Sequence, residues 1–121
     1  MKKIEAIIRT SKFEEVRTEL KKCGIDFFSY WEVSGVGNET NREHHSYRGT
    51  IYDTQFISRI FLAIVLQDAN LEKTITCIQK TAFTGEAGDG MIFSYNIEES
   101  IRIRTGERGN ASTSSPGELK K

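Results

Sequence analysis

The sequence predicts an α+β domain, a four-stranded antiparallel sheet with two helices on one face. Two observations carry this. Four segments are rich in β-branched and aromatic residues or alternate between apolar and polar. Two further segments repeat apolar residues at helical spacing, and the order is strand, helix, strand, strand, helix, strand. The 121 residues fit a single domain.

Each element has its own reason. Lys3 to Arg9 alternates, with Ile4, Ala6 and Ile8 on one face and Glu5 and Ile7 on the other. Ser11-Lys12-Phe13-Glu14 reads as a capping box. Phe13, Val16 and Leu20 follow at helical spacing and Gly24 is a stop signal, which predicts a helix over 12–23. Ile25 to Val33 is rich in aromatic and β-branched residues and reads as the second strand. Gly35-Val36-Gly37 opens a polar stretch, 38–54, that is long for a loop and therefore a candidate functional segment. Phe56 to Leu66 is a strongly apolar strand. Asp68 and Asn70 are N-cap candidates for a helix whose stripe is Leu71, Ile75 and Ile78. Three glycines within 84–90 mark a tight loop, Met91 to Tyr95 is a strand, and Ile101 to Arg104 is a short extended segment. Residues 109–121 are poor in apolar residues, hold the only proline, and read as a flexible tail. This is the ferredoxin-like double βαβ order. Its second sheet face would carry Phe28, Tyr30, Trp31 and Phe61, too bulky for water, so a homo-oligomer packing sheet faces together is expected.

Composition excludes several classes. Lys+Arg and Asp+Glu are 17 each, a formal net charge of zero, which argues against a general nucleic-acid binder. Apolar residues make up 37%, which implies a small core or one completed by other copies. No apolar run approaches a membrane span, so no direct membrane insertion is expected. The N-terminus lacks the apolar stretch of a signal peptide, and Cys23 and Cys77 lack C-x-x-C partners. A cytoplasmic protein with reduced thiols is the expectation.

Four features can carry chemistry. The turn at Gly35-Val36-Gly37 and the loop 84–90 expose backbone N–H groups of the kind that cradle phosphate oxygens. Arg102 and Arg104, two apart on an extended segment, would share one side and suit phosphate recognition. The long loop carries His44 and His45, which lack a second ligand pair for a metal. No nucleophile–base set and no Walker A pattern stand out, so the chain reads as a phosphate-ligand-binding oligomer rather than an enzyme.

These residues resemble a known family, the PII signal-transduction proteins of nitrogen metabolism. Met1 to Arg9 looks like its first strand, and Glu32-Val33-x-Gly35-x-Gly37 like the start of its nucleotide site. Tyr47-Arg48-Gly49-x-x-Tyr52 looks like its T-loop motif. Thr84-Gly85-x-x-Gly88-Asp89-Gly90-x-Ile92-Phe93 looks like its B-loop, and Ile101 to Glu107 (I-R-I-R-T-G-E) like its C-loop. The match covers about residues 1–108, with a T-loop at about 37–55, a B-loop at about 84–91 and a C-loop at about 102–108.

The resemblance implies a homotrimer with ATP or ADP, or AMP, in the clefts between subunits. It implies T-loops that dock onto an ammonium channel or a nitrogen-metabolism enzyme, with recruitment to the membrane through a transporter. Gly35, Gly37, Gly88, Asp89 and Gly90 would surround the phosphates, with Val36 and Asn38 in the same turn, and Arg102 and Arg104 would add cationic contacts across a subunit boundary. Ile7 and Ile64 would flank the adenine. Tyr52 matches a tyrosine that some relatives uridylylate. Glu39 stands where a glutamine ligates magnesium and Arg59 where a lysine pairs with 2-oxoglutarate. Asn38 and Met91 stand where an arginine and a lysine are usual, and Ala63 where a glutamate is. Two cations are thus missing, which would weaken ATP most. The alternative is a PII-like sensor of bicarbonate or a metal ion, with ADP/AMP preference and no 2-oxoglutarate response.

Overall fold

The computed structural model describes residues 1–36, 46–47, 50–51 and 57–113. Strand β1 (Lys2–Arg9) leads into helix α1 (Phe13–Lys22) and strand β2 (Ser29–Gly35). Two short strands, β3 (Ser46–Tyr47) and β4 (Thr50–Ile51), pair with each other, and β5 (Ile57–Leu66) follows. Helix α2 (Leu71–Ala82), strand β6 (Gly90–Asn96) and a one-turn helix α3 (Asn110–Thr113) complete the chain. The main sheet has the order β2-β5-β1-β6 with every pair antiparallel, the ferredoxin-like topology that the element order predicts.

The register sorts the side chains into two faces. Ile4, Ala6 and Ile8 of β1 lie beside Ile64, Leu62 and Ile60 of β5, and all six are buried. Val16 and Leu20 of α1 and Ile78 of α2 cover them. Ile7 pairs with Phe61 and Met91 on the opposite, open face, where Trp31 stacks on Phe61 with ring centroids 4.6 Å apart. Tyr30 does not belong to that open face. It pairs with buried Leu62 and packs against Phe13 of α1 at 4.5 Å, with Phe28 beside it. Strand parity decides this: Tyr30 and Trp31 are neighbours and must point to opposite sides.

Helix boundaries differ from expectation at both N-termini. The chain leaves β1 through a 3₁₀ turn, Thr10–Lys12, so Ser11 is already inside helical structure and makes no cap. The anticipated capping box is therefore absent. Glu14 and Glu15 in the first turn of α1 and Lys21 and Lys22 in the last still complement the helix dipole. At the C-terminus Gly24 (φ +87°) works as expected. Gly24 N–H donates to Lys21 O at 3.0 Å and Ile25 N–H to Leu20 O at 2.9 Å, a Schellman motif that buries Ile25 and delays β2 to Ser29. Asn70 precedes α2 without a side-chain cap, and its carbonyl accepts the Thr74 hydroxyl at 2.6 Å. Asp68 instead pairs with the N-terminal ammonium at 2.9 Å, which holds its carboxyl below the usual range.

Within the segment expected as a flexible tail, Asn110–Thr113 form α3, and residues 114–121 lie outside the described residues. No described helix is long and apolar enough to cross a membrane.

Candidate functional site

The loop 84–90 is built around one carboxylate. Asp89 Oδ2 accepts the backbone N–H groups of Thr84 at 2.8 Å and Gly85 at 3.0 Å. Its Oδ1 accepts the Thr84 hydroxyl and Arg9 Nε, the latter at 3.0 Å. The Thr84 hydroxyl and backbone N–H, then Arg9 and Gly85 N–H, all favour the ionised form and hold the Asp89 carboxyl far below the usual carboxylate range. Asp89 thus organises the loop. Both its oxygens accept two hydrogen bonds each within the loop and from Arg9.

Two arginines close the loop from below. β1 and β5 place Arg9 opposite Arg59 on the open face. Arg9 Nη2 donates to Ala87 O at 2.9 Å and Arg59 Nη2 to Gly88 O at 3.1 Å. Arg59 also donates to Ser58 O at 2.9 Å. The sequence reading missed Arg9. The available signal was the register: Ile8 faces Gly90, so the next residue of β1 reaches Asp89. Gly90 is required sterically as well. It has φ +113°, and a Cβ there would lie 1.8 Å from Ile7 O.

The remaining candidates divide between this end of the sheet and the other. Gly35 ends β2 opposite Ile57, and Val36 beyond it is exposed. Ile7 and Gly90 line a pocket of about 340 Å³ with Met91 and Phe83. Ile64 does not join Ile7: its side chain is 1% exposed within the core, on the helix face. Its neighbour Val65 has the parity that Ile64 was expected to have, and it is 40% exposed. Gly37, Asn38, Glu39, His44, His45 and Tyr52 lie outside the described residues.

Arg102 and Arg104 do not share a strand side. Ile101 makes only an isolated bridge with Arg108, and the chain turns between them. Arg102 N–H donates to Glu107 O at 2.8 Å and Gly106 N–H to Arg102 O at 2.7 Å. Arg104 is exposed on that turn, whereas Arg102 turns into a cleft of about 590 Å³ lined by Phe28, Ser29, Ala63, Val65 and Ser112. Arg102 Nε lies 3.5 Å from Glu107 Oε1. Ser29 opens β2 and Gly35 closes it. Six residue steps separate the cleft end from the loop end, about 20 Å of strand. The described residues of one protomer thus hold two candidate half-sites: a glycine loop braced by carboxylate and arginines, and a cleft with one half-buried guanidinium.

The family model for "Nitrogen regulatory protein P-II" matches residues 1–107. The chain belongs to the P-II family. A P-II protein of Rhodospirillum rubrum is 45% identical over 109 residues, covering 90% of this chain and 96% of the relative. The P-II proteins of Bradyrhizobium diazoefficiens and Pasteurella multocida are each 43% identical, covering 90% and 88% of this chain and 96% and 95% of the relatives. Both half-sites, the 84–90 loop and Arg102, fall inside the P-II stretch. Helix α3 falls beyond it.

Proposed function

We propose that this chain is a signal-transduction regulator of the P-II type. It forms a homotrimer, binds an adenine nucleotide between subunits, and uses its T-loop at 37–55 to control an ammonium channel or a nitrogen-metabolism enzyme. The 1–108 region is the working domain, acting in the cytoplasm. The observation that carries this reading is the separation of the half-sites. A glycine loop braced by Asp89, Arg9 and Arg59 and a cleft that presents a guanidinium lie at opposite ends of β2, so one nucleotide engages both only when the loop belongs to one copy and the cleft to another. The open sheet face supports the same assembly, since Trp31, Met91 and Phe93 are 47%, 58% and 45% exposed there. Gly35, Val36, Gly88 and Gly90 would then approach the phosphates, Ile7 and Val65 the base, and Arg102 and Arg104 the charge. Glu39 would ligate magnesium and Tyr52 remain the candidate for modification.

A second reading is favoured by where the cations stand. Arg9 and Arg59 are engaged by Asp89 and by the carbonyls of Ala87 and Gly88, and Met91 offers no charge. Each charge-assisted contact missing from a triphosphate weakens it by about 1.5–3 kcal/mol. This favours ADP or AMP over ATP, with an effector other than 2-oxoglutarate, such as bicarbonate or a metal ion.

Calorimetric titration with ATP, ADP and AMP, with and without magnesium and 2-oxoglutarate, separates the two. Tightening of ATP by magnesium and 2-oxoglutarate is the outcome of the first reading; ADP or AMP binding indifferent to 2-oxoglutarate is that of the second. Sedimentation equilibrium is expected to give three times the 13.8 kDa chain mass. Arg102→Ala is expected to weaken nucleotide roughly tenfold, and unchanged affinity would remove Arg102 from the site.

A further inference from the structure

Helix α3 lies beyond the stretch that the family model matches, and it packs on the cleft at its one half-buried guanidinium. Arg102 Nη2 donates to Ala111 O at 3.4 Å and to Ser112 O at 3.3 Å. The segment is stitched at its root. Gly109 N–H donates to Ser100 O at 3.0 Å, and Ser112 Oγ lies 2.7 Å from Ser100 Oγ. Gln67, just past the end of β5, reaches Asn110 O at 3.5 Å. Ser112 and Thr113 line the cleft together with Asp26, Ser29 and Val65. The acceptors that α3 itself offers to Arg102 are neutral carbonyls at long range, beside the Glu107 carboxylate at 3.5 Å from Nε. A phosphate oxygen is charged, accepts at 2.7–2.9 Å and binds about twice as strongly. The contact is therefore strong enough to occupy the guanidinium and weak enough to yield to an anion.

We propose that Asn110–Thr113 is an autoinhibitory strap. Its backbone carbonyls hold the Arg102 guanidinium that an anionic ligand of this cleft must take, and binding requires its release. This rests on the nucleotide reading above, and it adds a control to that site: anything that captures the C-terminal segment raises ligand affinity, and by linkage the ligand exposes the segment.

The test compares the full chain, a chain ending at Thr113, a chain ending at Gly109, and the full chain carrying Ser100→Ala and Ser112→Ala, which loosens the strap without shortening it. Phenylglyoxal labelling of Arg102, followed by peptide mass spectrometry, reads the strap without any nucleotide. Calorimetry with ADP, and in parallel with inorganic pyrophosphate, reads the competition. Labelling is expected to be several-fold faster, and affinity three- to tenfold higher, in the chain ending at Gly109 and, to a smaller extent, in the serine variant. The chain ending at Thr113, which keeps the strap, is expected to label more slowly than the chain ending at Gly109. Equal labelling rates in all four overturn the strap. Faster labelling with unchanged affinity overturns the competition. If no chain binds any nucleotide, the nucleotide reading falls, and pyrophosphate decides the strap alone: tighter binding to the chain ending at Gly109 upholds it and equal binding overturns it.

Discussion

The loop after α2 and the segment after β6 both contain glycine turns and an arginine–carboxylate pair, yet they are held by very different means. Asp89 receives four donors, three of them from its own loop, and the two carbonyls just before it are each taken by an arginine from the sheet. Among its contacts, Arg102 Nε stands 3.5 Å from the Glu107 carboxylate and Nη2 donates to two carbonyls at 3.3 and 3.4 Å, all longer than the Asp89 bonds. The first is a template fixed to the sheet before any ligand arrives. The second is a set of exchangeable contacts. The nucleotide site proposed above, divided this way, would keep geometry in one half and adjustment in the other.

The largest expected effect comes from the template. In Gly90→Ala the new methyl meets Ile7 O, a backbone atom of the central strand that cannot give way, and the φ of +113° is itself unfavourable for any residue with a Cβ. A loss of about 3 kcal/mol or more is expected, read as a drop in the denaturant midpoint. Gly106→Ala, at φ +73° with open space around it, is the control from the other half. It is expected to cost about 1 kcal/mol. Equal losses at the two positions would erase the difference between the two halves.

Acid titration sharpens the same comparison. The folded-state pKa of Asp89 lies below its ordinary value of 3.8. A depressed carboxylate contributes stability that is fully present above the unfolded pKa and is lost as pH falls toward the folded one. Asp89→Asn removes the charge at every pH. The thermal midpoints of wild type and variant are therefore expected to differ most near neutral pH and to converge below about pH 4. Asp68, also depressed through its bond to the N-terminal ammonium, stays in both proteins and cancels from the difference. A gap that holds constant into strong acid would show that the brace does not depend on the carboxylate's charge.

The core and topology were legible in the sequence because they follow from periodicity. Ile4, Ala6 and Ile8 alternate, Val16 and Leu20 fall on one helical stripe, and Gly24 stops α1, all as the pattern requires. What was not legible depends on partners distant in sequence. Arg9 gives no sign of a role until the β1–β6 register sets it beside Asp89, 80 residues away. Ile64 faces the helices and Val65 the open face, since a one-residue offset in a strand reverses the side chain. Ser11 has the composition of a cap, but the 3₁₀ turn from Arg9 starts the helical structure before it. Arg102 and Arg104 share a side only if extended, and the bonds between Arg102, Gly106 and Glu107 impose a turn. Polar composition past Gly109 concealed α3, whose bonds run to Ser100, Gln67 and Arg102 rather than to an apolar core.

The smallest expected effect completes the contrast. Glu107→Gln removes the charge facing Arg102 but keeps an oxygen that can accept the Thr105 hydroxyl, now at 2.7 Å. Glu107 is 47% exposed on its side chain and Arg102 25%, so the 3.5 Å pair is largely screened. Stability is expected to change by no more than about 0.5 kcal/mol, against the clear loss at Asp89→Asn at neutral pH. The same substitution leaves the 102–107 turn intact, because Arg102 N–H bonds to the backbone carbonyl of residue 107 and not to its side chain. A large destabilisation in Glu107→Gln would mean that the C-terminal half is braced by charge as the loop is, and the division between a fixed and an adjustable half-site would fail.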